Sequence, residues 1–387
     1  MVEKKKDYQK LSIKLHEKMR GKISIVSKMP VNNREQLSLA YTPGVAGPAL
    51  AIAKDKRLAK ILTATKNMVA VISDGSAVLG LGNIGPEAAL PIMEGKAILF
   101  KRFAGLDAFP IVLATQETEE IIAAVKAIAP TFGAINLEDI SAPRCFEIEE
   151  RLKKELNIPV MHDDQHGTAI VVLAGLINAL KVVKKKKEKV KVVISGAGAA
   201  GSAIAELFIK FGVKDIIICD RNGTIAHSRK DLTPHKKYLA KITNKKNISG
   251  TIAETLVGAD VFIGVSQANL ITRDDVRKMN RDAIIFALAN PIPEIMPEEA
   301  RKGGARVIAS GRSDFPNQVN NSLAFPGVFK GVLEAGVTQI TDKMKLAAAL
   351  ALAQTVARPT AEKIIPGPFE KHIVPAVSKA VQKIARK

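Results

Sequence analysis

Two pairs of adjacent carboxylates are the residues of this chain whose type and placement most clearly indicate chemistry. The first pair is Glu138 and Asp139, and the second pair, Asp163 and Asp164, follows 25 residues later. Each pair comes at the end of an apolar, strand-like segment. Buried charges are unfavourable unless they are paired or bind a metal, and the ends of parallel strands open into clefts. Because oxygen ligands suit Mg²⁺ or Mn²⁺ better than zinc, the two pairs predict a site for one of these cations.

A glycine-rich loop of the pattern G-x-G-x-x-G lies between an apolar run at 190–194 and a helical pattern at 202–211. Its six positions are Gly196, Ala197, Gly198, Ala199, Ala200 and Gly201. The first glycine permits a tight turn, the second lets a pyrophosphate approach the helix N-terminus, and the third permits close helix–strand packing. A strand before the loop and a helix after it make this a strong signal for dinucleotide binding.

The end of the next predicted strand bears on the choice of dinucleotide. Asp220 is placed to accept hydrogen bonds from the ribose hydroxyls of NAD and to repel a 2′-phosphate. Arg221 follows directly and is suited to bind that phosphate instead. We expect NAD as the cofactor, and the arginine leaves NADP open.

Strand-like and helical segments alternate from Val69 onward, which predicts parallel α/β architecture. The strand candidates of the first half are 69–72, 111–114, 134–137 and 160–161, and those of the second half are 190–194, 216–218, 261–264, 284–287 and 307–309. We predict an N-terminal α/β domain at 1–160 and a Rossmann-type, doubly wound domain at 161–387. C-terminal helices are expected at 343–357 and after Pro375, and the first 35 residues are expected to be helical and to mediate dimer contacts.

The composition is that of a globular protein with an unusual charge. The net charge is +20, yet only 4% of the residues are aromatic and the basic residues are spread along the chain, whereas nucleic-acid modules cluster charge with stacking aromatics. The run Lys184–Lys187 is expected at a solvated helix end. No apolar run approaches the roughly 20 residues of a membrane span, and no secretory signal or cysteine motif is present. We expect a cytoplasmic protein that binds neither nucleic acid nor membrane.

Motifs spread over nearly the whole chain resemble those of the malic enzyme family, in its short prokaryotic form. The matching segments are 41–46, 73–82, 93–96, 103–108, 136–143, 162–168, the glycine loop, 289–291 and 320–321. The resemblance implies metal-dependent oxidative decarboxylation of L-malate to pyruvate and CO₂, with reduction of NAD⁺ or NADP⁺. It also implies a homodimer and makes 1–160 the domain for substrate and metal.

The resemblance also implies roles for residues around the acidic pairs. Glu138, Asp139 and Asp164 match the ligands of the divalent metal. Lys96 matches the general base that takes the C2 hydroxyl proton and contacts substrate, and Asp163 matches the acid paired with it. A lysine is a poor base at neutral pH, so we expect the nearby cation to lower its pKa.

Three further positions complete the site that the resemblance implies. Tyr41 matches the general acid that protonates the enol carbon, and Asn290 and Asn320 match amides that bind the substrate carboxylate. The chain departs from its longer eukaryotic relatives at Ala77, where they have an arginine that grips this carboxylate. Another cation, such as Lys96, the metal or a residue from a neighbouring subunit, must then contribute more to anchoring the substrate.

Two other functions are compatible with parts of the sequence. Another Rossmann-fold dehydrogenase would account for residues 190–310, although not for the paired carboxylates. A basic binding protein regulated by nucleotide would account for the charge of +20.

The spacing of His162 and His166 also suits zinc on a helix, but His162 is expected to end a strand.

Overall fold

The computed structural model describes residues 7–386 of the chain. Its helices are α1 (Tyr8–Met19), α2 (Arg34–Ala40), α3 (Ala46–Lys54), α4 (Ala59–Leu62), α5 (Gly85–Leu99), α6 (Thr118–Ile128), α7 (Arg144–Glu155), α8 (Asp163–Val183), α9 (Ala199–Phe211), α10 (Pro234–Ile242), α11 (Ile252–Leu256), α12 (Arg273–Arg277), α13 (Pro297–Lys302), α14 (Phe325–Ala335), α15 (Asp342–Gln354) and α16 (Ile373–Ala385). Its strands are β1 (Met68–Ser73), β2 (Asp107–Val112), β3 (Ala134–Leu137), β4 (Val160–His162), β5 (Lys191–Ser195), β6 (Asp215–Asp220), β7 (Gly223–Thr224), β8 (Val261–Gly264), β9 (Ala283–Ala287) and β10 (Ala305–Ser310).

The strands form two sheets, which confirms the predicted α/β fold. The first sheet is fully parallel, in the order β2-β1-β3-β4. The second has the order β10-β9-β8-β5-β6-β7, is parallel except for β7, and changes direction of winding at β5, as a doubly wound sheet does. Helices α14, α15 and α16 follow the second sheet and pack against one another.

Strand β2 begins four residues earlier than the sequence pattern predicts, at Asp107. Pro110 lies inside this strand and obscures the pattern, because proline cannot donate to a hydrogen-bonded ladder. The strand lies at the edge of its sheet and pairs only with β1, so the missing donor is tolerated there.

Helix α8 links the two sheets and is the longest described helix, at 21 residues. It starts at Asp163, directly after β4, and packs mainly against α9 and α15. By length and composition it is the one described helix apolar enough to cross a membrane, but 67% of that stretch is buried within the fold. The helix therefore acts here as the central core helix.

Two expectations about charged or terminal segments are only partly correct. In the run after α8, Lys184 and Lys186 are exposed, but Lys185 pairs with Asp260 and Lys187 donates to a backbone carbonyl. Near the N-terminus, α1 is helical as expected, whereas 22–33 forms no helix. Residues 1–6 lie outside the described part of the chain.

Candidate active site

Two neighbouring strands bring the acidic pairs to one edge of the first sheet. Strands β3 and β4 are parallel, with Leu137 opposite His162, so the residues that follow each strand emerge side by side. The backbone N–H of Asp139 donates to Oδ2 of Asp164 over 2.8 Å. Asp139 itself has a φ of +53°, a left-handed conformation that turns the chain sharply at the sheet edge.

Glu138, Asp139 and Asp164 form the one cluster of potential metal ligands found among residues 7–386. Their ligand oxygens lie within 4.8 Å of one another. Burial, together with the neighbouring carboxylates, raises the pKa of Asp139 to about 9 and that of Asp164 to about 6. Burial also raises the pKa of Glu138. Carboxylates that lie this close together with little access to water repel one another. A bound divalent cation removes this repulsion, so the cluster suits such a cation.

Lys96 lies beside this cluster on α5 and is 7% exposed. Its Nζ is 2.7 Å from Oε1 of Glu138 and 2.7 Å from Oδ2 of Asp163, and it lies 4.4 Å from the centre of the Phe325 ring. Burial alone would lower the pKa of Lys96, but the charges of Asp163, Glu138 and Asp164 outweigh it and hold that pKa above its usual value. The carboxylates around the ammonium are the cause, and the lowering of this pKa by a bound cation stays a prediction.

Asp163 is fully buried, and its tight fit explains a glycine that the sequence analysis did not single out. Burial and the charge of Glu138 outweigh Lys96, which would lower the pKa of Asp163, and raise that pKa to about 7. A Cβ at Gly167, one helical turn later, would lie 1.8 Å from Oδ1 of Asp163. Any larger residue at position 167 would displace the carboxylate that holds Lys96.

Glu149 on α7 is a second buried residue that the sequence did not reveal. Its Oε1 accepts from the backbone N–H of His162 over 3.0 Å, and its Oε2 lies 2.9 Å from Nε2 of His166. Neither histidine belongs to the carboxylate cluster. The zinc alternative therefore receives no support, since His166 is bound to a carboxylate and His162 lies at the end of β4.

The loop that follows β1 packs onto the turn at Asp139. Arg144 donates through Nη2 to Oδ2 of the fully buried Asp74 over 2.9 Å and to the Ser76 hydroxyl over 3.0 Å. Ala77 donates its backbone N–H to the carbonyl of Asp139 over 2.9 Å. The position that carries an arginine in longer relatives is therefore next to a proposed metal ligand, and Arg144 stabilises the loop that contains it.

The three remaining predicted residues lie in different surroundings. Asn290 follows β9, and its carbonyl would be 2.9 Å from a Cβ at Gly80, so two of the motif segments pack together here. Asn320 is exposed and accepts from the N–H of Ser322 through Oδ1. Tyr41 ends α2 and is 66% exposed, and within the described residues its hydroxyl contacts no other member of the site.

The glycine loop has the geometry expected of a dinucleotide site. Gly196 has a φ of +115°, and a Cβ at Gly201 would be 1.9 Å from the carbonyl of Gly196, so the turn and the close packing both require glycine. A Cβ at Gly198 would meet nothing within 4 Å, which leaves this face open to a ligand. The loop borders a cavity of about 940 Å³ that extends to Ala142 and Pro143, which follow Asp139 closely in the sequence.

Asp220 lies at the far end of this cavity and is already paired with cations. Arg229 Nη1 is 2.8 Å from its Oδ1, and Lys236 Nζ is 2.5 Å from its Oδ2. Burial would raise the pKa of Asp220, but these hydrogen bonds outweigh it and lower that pKa. Arg221 is exposed beside them. The sequence analysis singled out Asp220 and Arg221 but missed the two cations, which come 9 and 16 residues after Asp220.

Comparisons with known proteins agree with this arrangement. A family model described as malic enzyme, N-terminal domain, matches residues 20–153, and one described as malic enzyme, NAD binding domain, matches residues 165–386. The chain belongs to the malic enzyme family. This confirms the resemblance read from the motifs and the predicted oxidoreductase class, and it displaces the alternative of an unrelated Rossmann-fold dehydrogenase.

Individual malic enzymes are similar over nearly the whole chain. The bifunctional malic/malolactic enzyme of Bacillus subtilis is 55% identical over 97% of this chain and 92% of its own length. The NADP-dependent malic enzyme of Escherichia coli is 44% identical over 94% of this chain and 50% of its own length. The crystal structure of the NAD-dependent malic enzyme of Thermotoga maritima has a TM-score of 0.93 and 50% identity, covering 96% of this chain and 98% of that one.

Proposed function

We propose that this malic enzyme converts L-malate to pyruvate and CO₂ while reducing NAD⁺ or NADP⁺, and that it requires Mg²⁺ or Mn²⁺. The observation that carries the proposal is the cluster of the buried Glu138 and Asp139 with the half-buried Asp164, in contact with the Lys96–Asp163 pair. The cavity beside the glycine loop is also lined by Ala142 and Pro143, which follow Asp139 by three and four residues. We infer that substrate chemistry and dinucleotide binding share one cleft.

The three carboxylates fit a hard divalent cation and would hold it, leaving further coordination positions to substrate and water. A cation bound there would polarise the C2 oxygen of malate and stabilise negative charge on it. Asn136 supports this ligand set, because its Nδ2 donates to Oε2 of Glu138 over 2.9 Å. That hydrogen bond fixes the orientation of the first carboxylate.

Lys96 and Asp163 handle the first proton. A proton passed from Lys96 to Asp163 along their 2.7 Å hydrogen bond leaves the amine free to accept the C2 hydroxyl proton of malate. At the same time, the hydrogen on C2 is transferred as a hydride to the nicotinamide, so malate becomes oxaloacetate. The bond between C3 and the C4 carboxylate then breaks, CO₂ departs, and the electron pair stays on C3 as the enolate of pyruvate.

Tyr41 then donates a proton to C3 and releases pyruvate. Its exposure in the single chain means that another surface must close over it before it can act in a site shielded from water. A homodimer would supply that surface. Helices α1 to α4 contain no buried residue, although they carry many large apolar side chains.

The apolar surface of the N-terminal segment is extensive. Its most exposed members include Tyr8 (74%), Ile25 (86%), Val26 (79%), Leu39 (66%) and Ile61 (74%). So many exposed large apolar side chains in one segment favour an interaction site over a solvated face. We infer that a second copy of the chain covers it. Analytical ultracentrifugation tests this directly: a dimer that Ile25→Asp with Val26→Asp converts to monomer supports the interface, and a monomeric parent protein contradicts it.

Both dinucleotides are compatible with the pocket around Asp220. Arg229 and Lys236 neutralise the carboxylate that would otherwise repel a 2′-phosphate, and Arg221 adds a further cation. The carboxylate still has lone pairs to accept a ribose hydroxyl of NAD. Among similar proteins, the Thermotoga maritima enzyme is named NAD-dependent and the Escherichia coli enzyme NADP-dependent.

Absorbance at 340 nm with L-malate tests the reaction, using NAD⁺ and NADP⁺ separately, each with Mn²⁺ and with EDTA. Metal-dependent reduction with an equal amount of pyruvate supports the proposal. Lactate in place of pyruvate would instead indicate malolactic chemistry, which the name of the Bacillus subtilis relative includes. No reduction with either dinucleotide would contradict the proposed function.

A further inference from the structure

Glu149 is a buried carboxylate that the proposed chemistry does not use. It is 4% exposed, lies on α7 and carries no role in the steps above. A carboxylate buried so deeply is retained only where donors surround it, and here they do. We infer that Glu149 is a positioning residue, which fixes the β4–α8 junction and thereby sets the affinity of the carboxylate cluster for its divalent cation.

The donors to Glu149 come from both sides of the acidic pair in the junction. His162 immediately precedes Asp163 and donates its backbone N–H over 3.0 Å. Gln165 and His166 immediately follow Asp164, and their side chains reach Oε2 at 3.4 Å and 2.9 Å. Glu149 therefore clamps the residues on either side of the two carboxylates. The position of Asp164 relative to Glu138 and Asp139 depends on this clamp.

The clamp extends into the C-terminal helices. Lys345 on α15 is 5% exposed, and its Nζ lies 3.1 Å from Nδ1 of His166. An ammonium only donates, so Nδ1 of His166 accepts and its Nε2 carries the hydrogen that Glu149 accepts. The chain of hydrogen bonds from Lys345 through His166 to Glu149 joins α15, α8 and α7. It gives the metal ligands of the first sheet a fixed support from the second half of the molecule.

The charges around Glu149 favour its ionised form. Lys153 Nζ is 2.7 Å from Oε1, and Lys345 lies beyond His166. Burial would raise the pKa of Glu149, but His166, Lys153 and Lys345 together lower it well below its usual value. Because the clamp uses both oxygens of a charged carboxylate, a neutral replacement should hold the junction less firmly. Replacing a residue that orients metal ligands in this way typically lowers metal affinity by about 10–100-fold.

Mn²⁺ binding measured by electron paramagnetic resonance, without malate or dinucleotide, tests this inference. We expect Glu149→Ala to weaken Mn²⁺ binding by about tenfold or more, and Glu149→Gln, which retains an acceptor for the His162 N–H, to weaken it less. The matched control is Glu150→Gln. Glu150 is the next residue on α7, lies in an exposed ion pair with Lys154, and should change Mn²⁺ affinity by less than about twofold.

The readouts separate a positioning role from general damage. Melting temperature and 5′-ADP affinity report on the fold and the dinucleotide pocket, and both should stay near the parent values in Glu149→Gln. Unchanged Mn²⁺ affinity in Glu149→Gln would overturn the inference, even if Glu149→Ala does not fold. The inference rests on the proposed metal site, but its failure is distinguishable from failure of the proposed function. A parent protein that binds Mn²⁺ yet does not oxidise malate contradicts only the function, whereas one that binds no Mn²⁺ overturns both.

Discussion

Two groups of carboxylates in this protein have opposite surroundings. At the edge of the first sheet, Glu138, Asp139, Asp163 and Asp164 share one nearby ammonium, that of Lys96. At the end of β6, by contrast, Asp220 is paired with two cations, one of which, Arg229, also pairs with Asp231. The first group has one cation for four carboxylates, and the second has as many cations as carboxylates. Acidic residues alone therefore do not define a function, because the balance of charge decides whether a site suits a metal cation or a phosphate.

The pKa directions describe the same difference. Burial raises the pKa of Asp139 to about 9, and like charges add to the effect, whereas Arg229 and Lys236 lower the pKa of Asp220 despite burial. The first carboxylate resists ionisation unless a cation arrives, and the second is ionised already. Four predictions test this contrast: three on turnover, from the largest expected effect to the smallest, and one on stability.

Removing the one ammonium of the first group should have the largest effect. Lys96→Ala is expected to slow malate oxidation by about 10³-fold, since the C2 hydroxyl then has no base. Lys101→Ala is the matched control, because Lys101 is 64% exposed and pairs with Asp107 away from the cluster. NADH formation at 340 nm measures both variants. Near-normal turnover in Lys96→Ala would mean that another group takes the proton.

Tyr41 belongs to neither group. Its variant tests whether the first group can complete the reaction without this proton donor. Tyr41→Phe should reduce pyruvate formation by about 10²-fold and reduce oxidation less, because the phenol acts only after the hydride has left. Quenched samples analysed for oxaloacetate and pyruvate separate the two steps. Tyr8→Phe changes another exposed tyrosine of the N-terminal segment and serves as the control. Equal loss in both steps would contradict the assigned order.

The second group should control the choice of dinucleotide to a smaller degree. Asp220→Ala releases Lys236 and leaves Arg229 paired with Asp231 alone. It should raise the ratio of kcat/KM for NADP⁺ over NAD⁺ by about tenfold. Lys236→Ala should lower that ratio, and Lys237→Ala, the exposed neighbour on α10, should leave it unchanged. If all three ratios equal that of the parent protein, Asp220 and Lys236 do not read the ribose.

The last prediction concerns stability without metal rather than turnover. A carboxyl whose folded pKa is about 9 and whose unfolded pKa is about 3.9 binds its proton more tightly in the folded state. The metal-free protein should therefore lose stability as pH rises from about 4 towards 9. Saturating Mn²⁺ should reduce this loss. Urea unfolding at pH 5 and pH 8, with EDTA and with Mn²⁺, measures it, and greater metal-free stability at pH 8 would contradict the raised pKa.

Much of the fold follows from local sequence patterns. Strand β3 occupies 134–137 as predicted, because it is an apolar run bounded by glycine and carboxylates. The glycine loop was equally predictable from its G-x-G-x-x-G pattern. In the structure, Gly196 and Gly201 lie so close to neighbouring atoms that no side chain fits there. Strand β2 and the start of α8 were less predictable, because Pro110 and the polar residues 163–166 obscure the periodicity there.

The site residues were predictable where they are adjacent in the sequence. They were unpredictable where folding brings distant residues together. The carboxylate pairs stand next to each other in the sequence. Glu149 lies among charged residues that are typical of a solvated helix face, and only the packing of α7 shows that it points inward. Lys236 is one of two adjacent lysines on α10, and the sequence does not tell which one faces Asp220.

The central claim is that the group with one cation for four carboxylates is the metal site. Isothermal titration of Mn²⁺ tests it most directly, with the parent protein, Asp139→Asn and Asp220→Asn compared under the same conditions. We predict one Mn²⁺ per chain for the parent protein, loss of binding in Asp139→Asn, and parent-like binding in Asp220→Asn. Undiminished binding in Asp139→Asn, or no binding by the parent protein, would contradict the account.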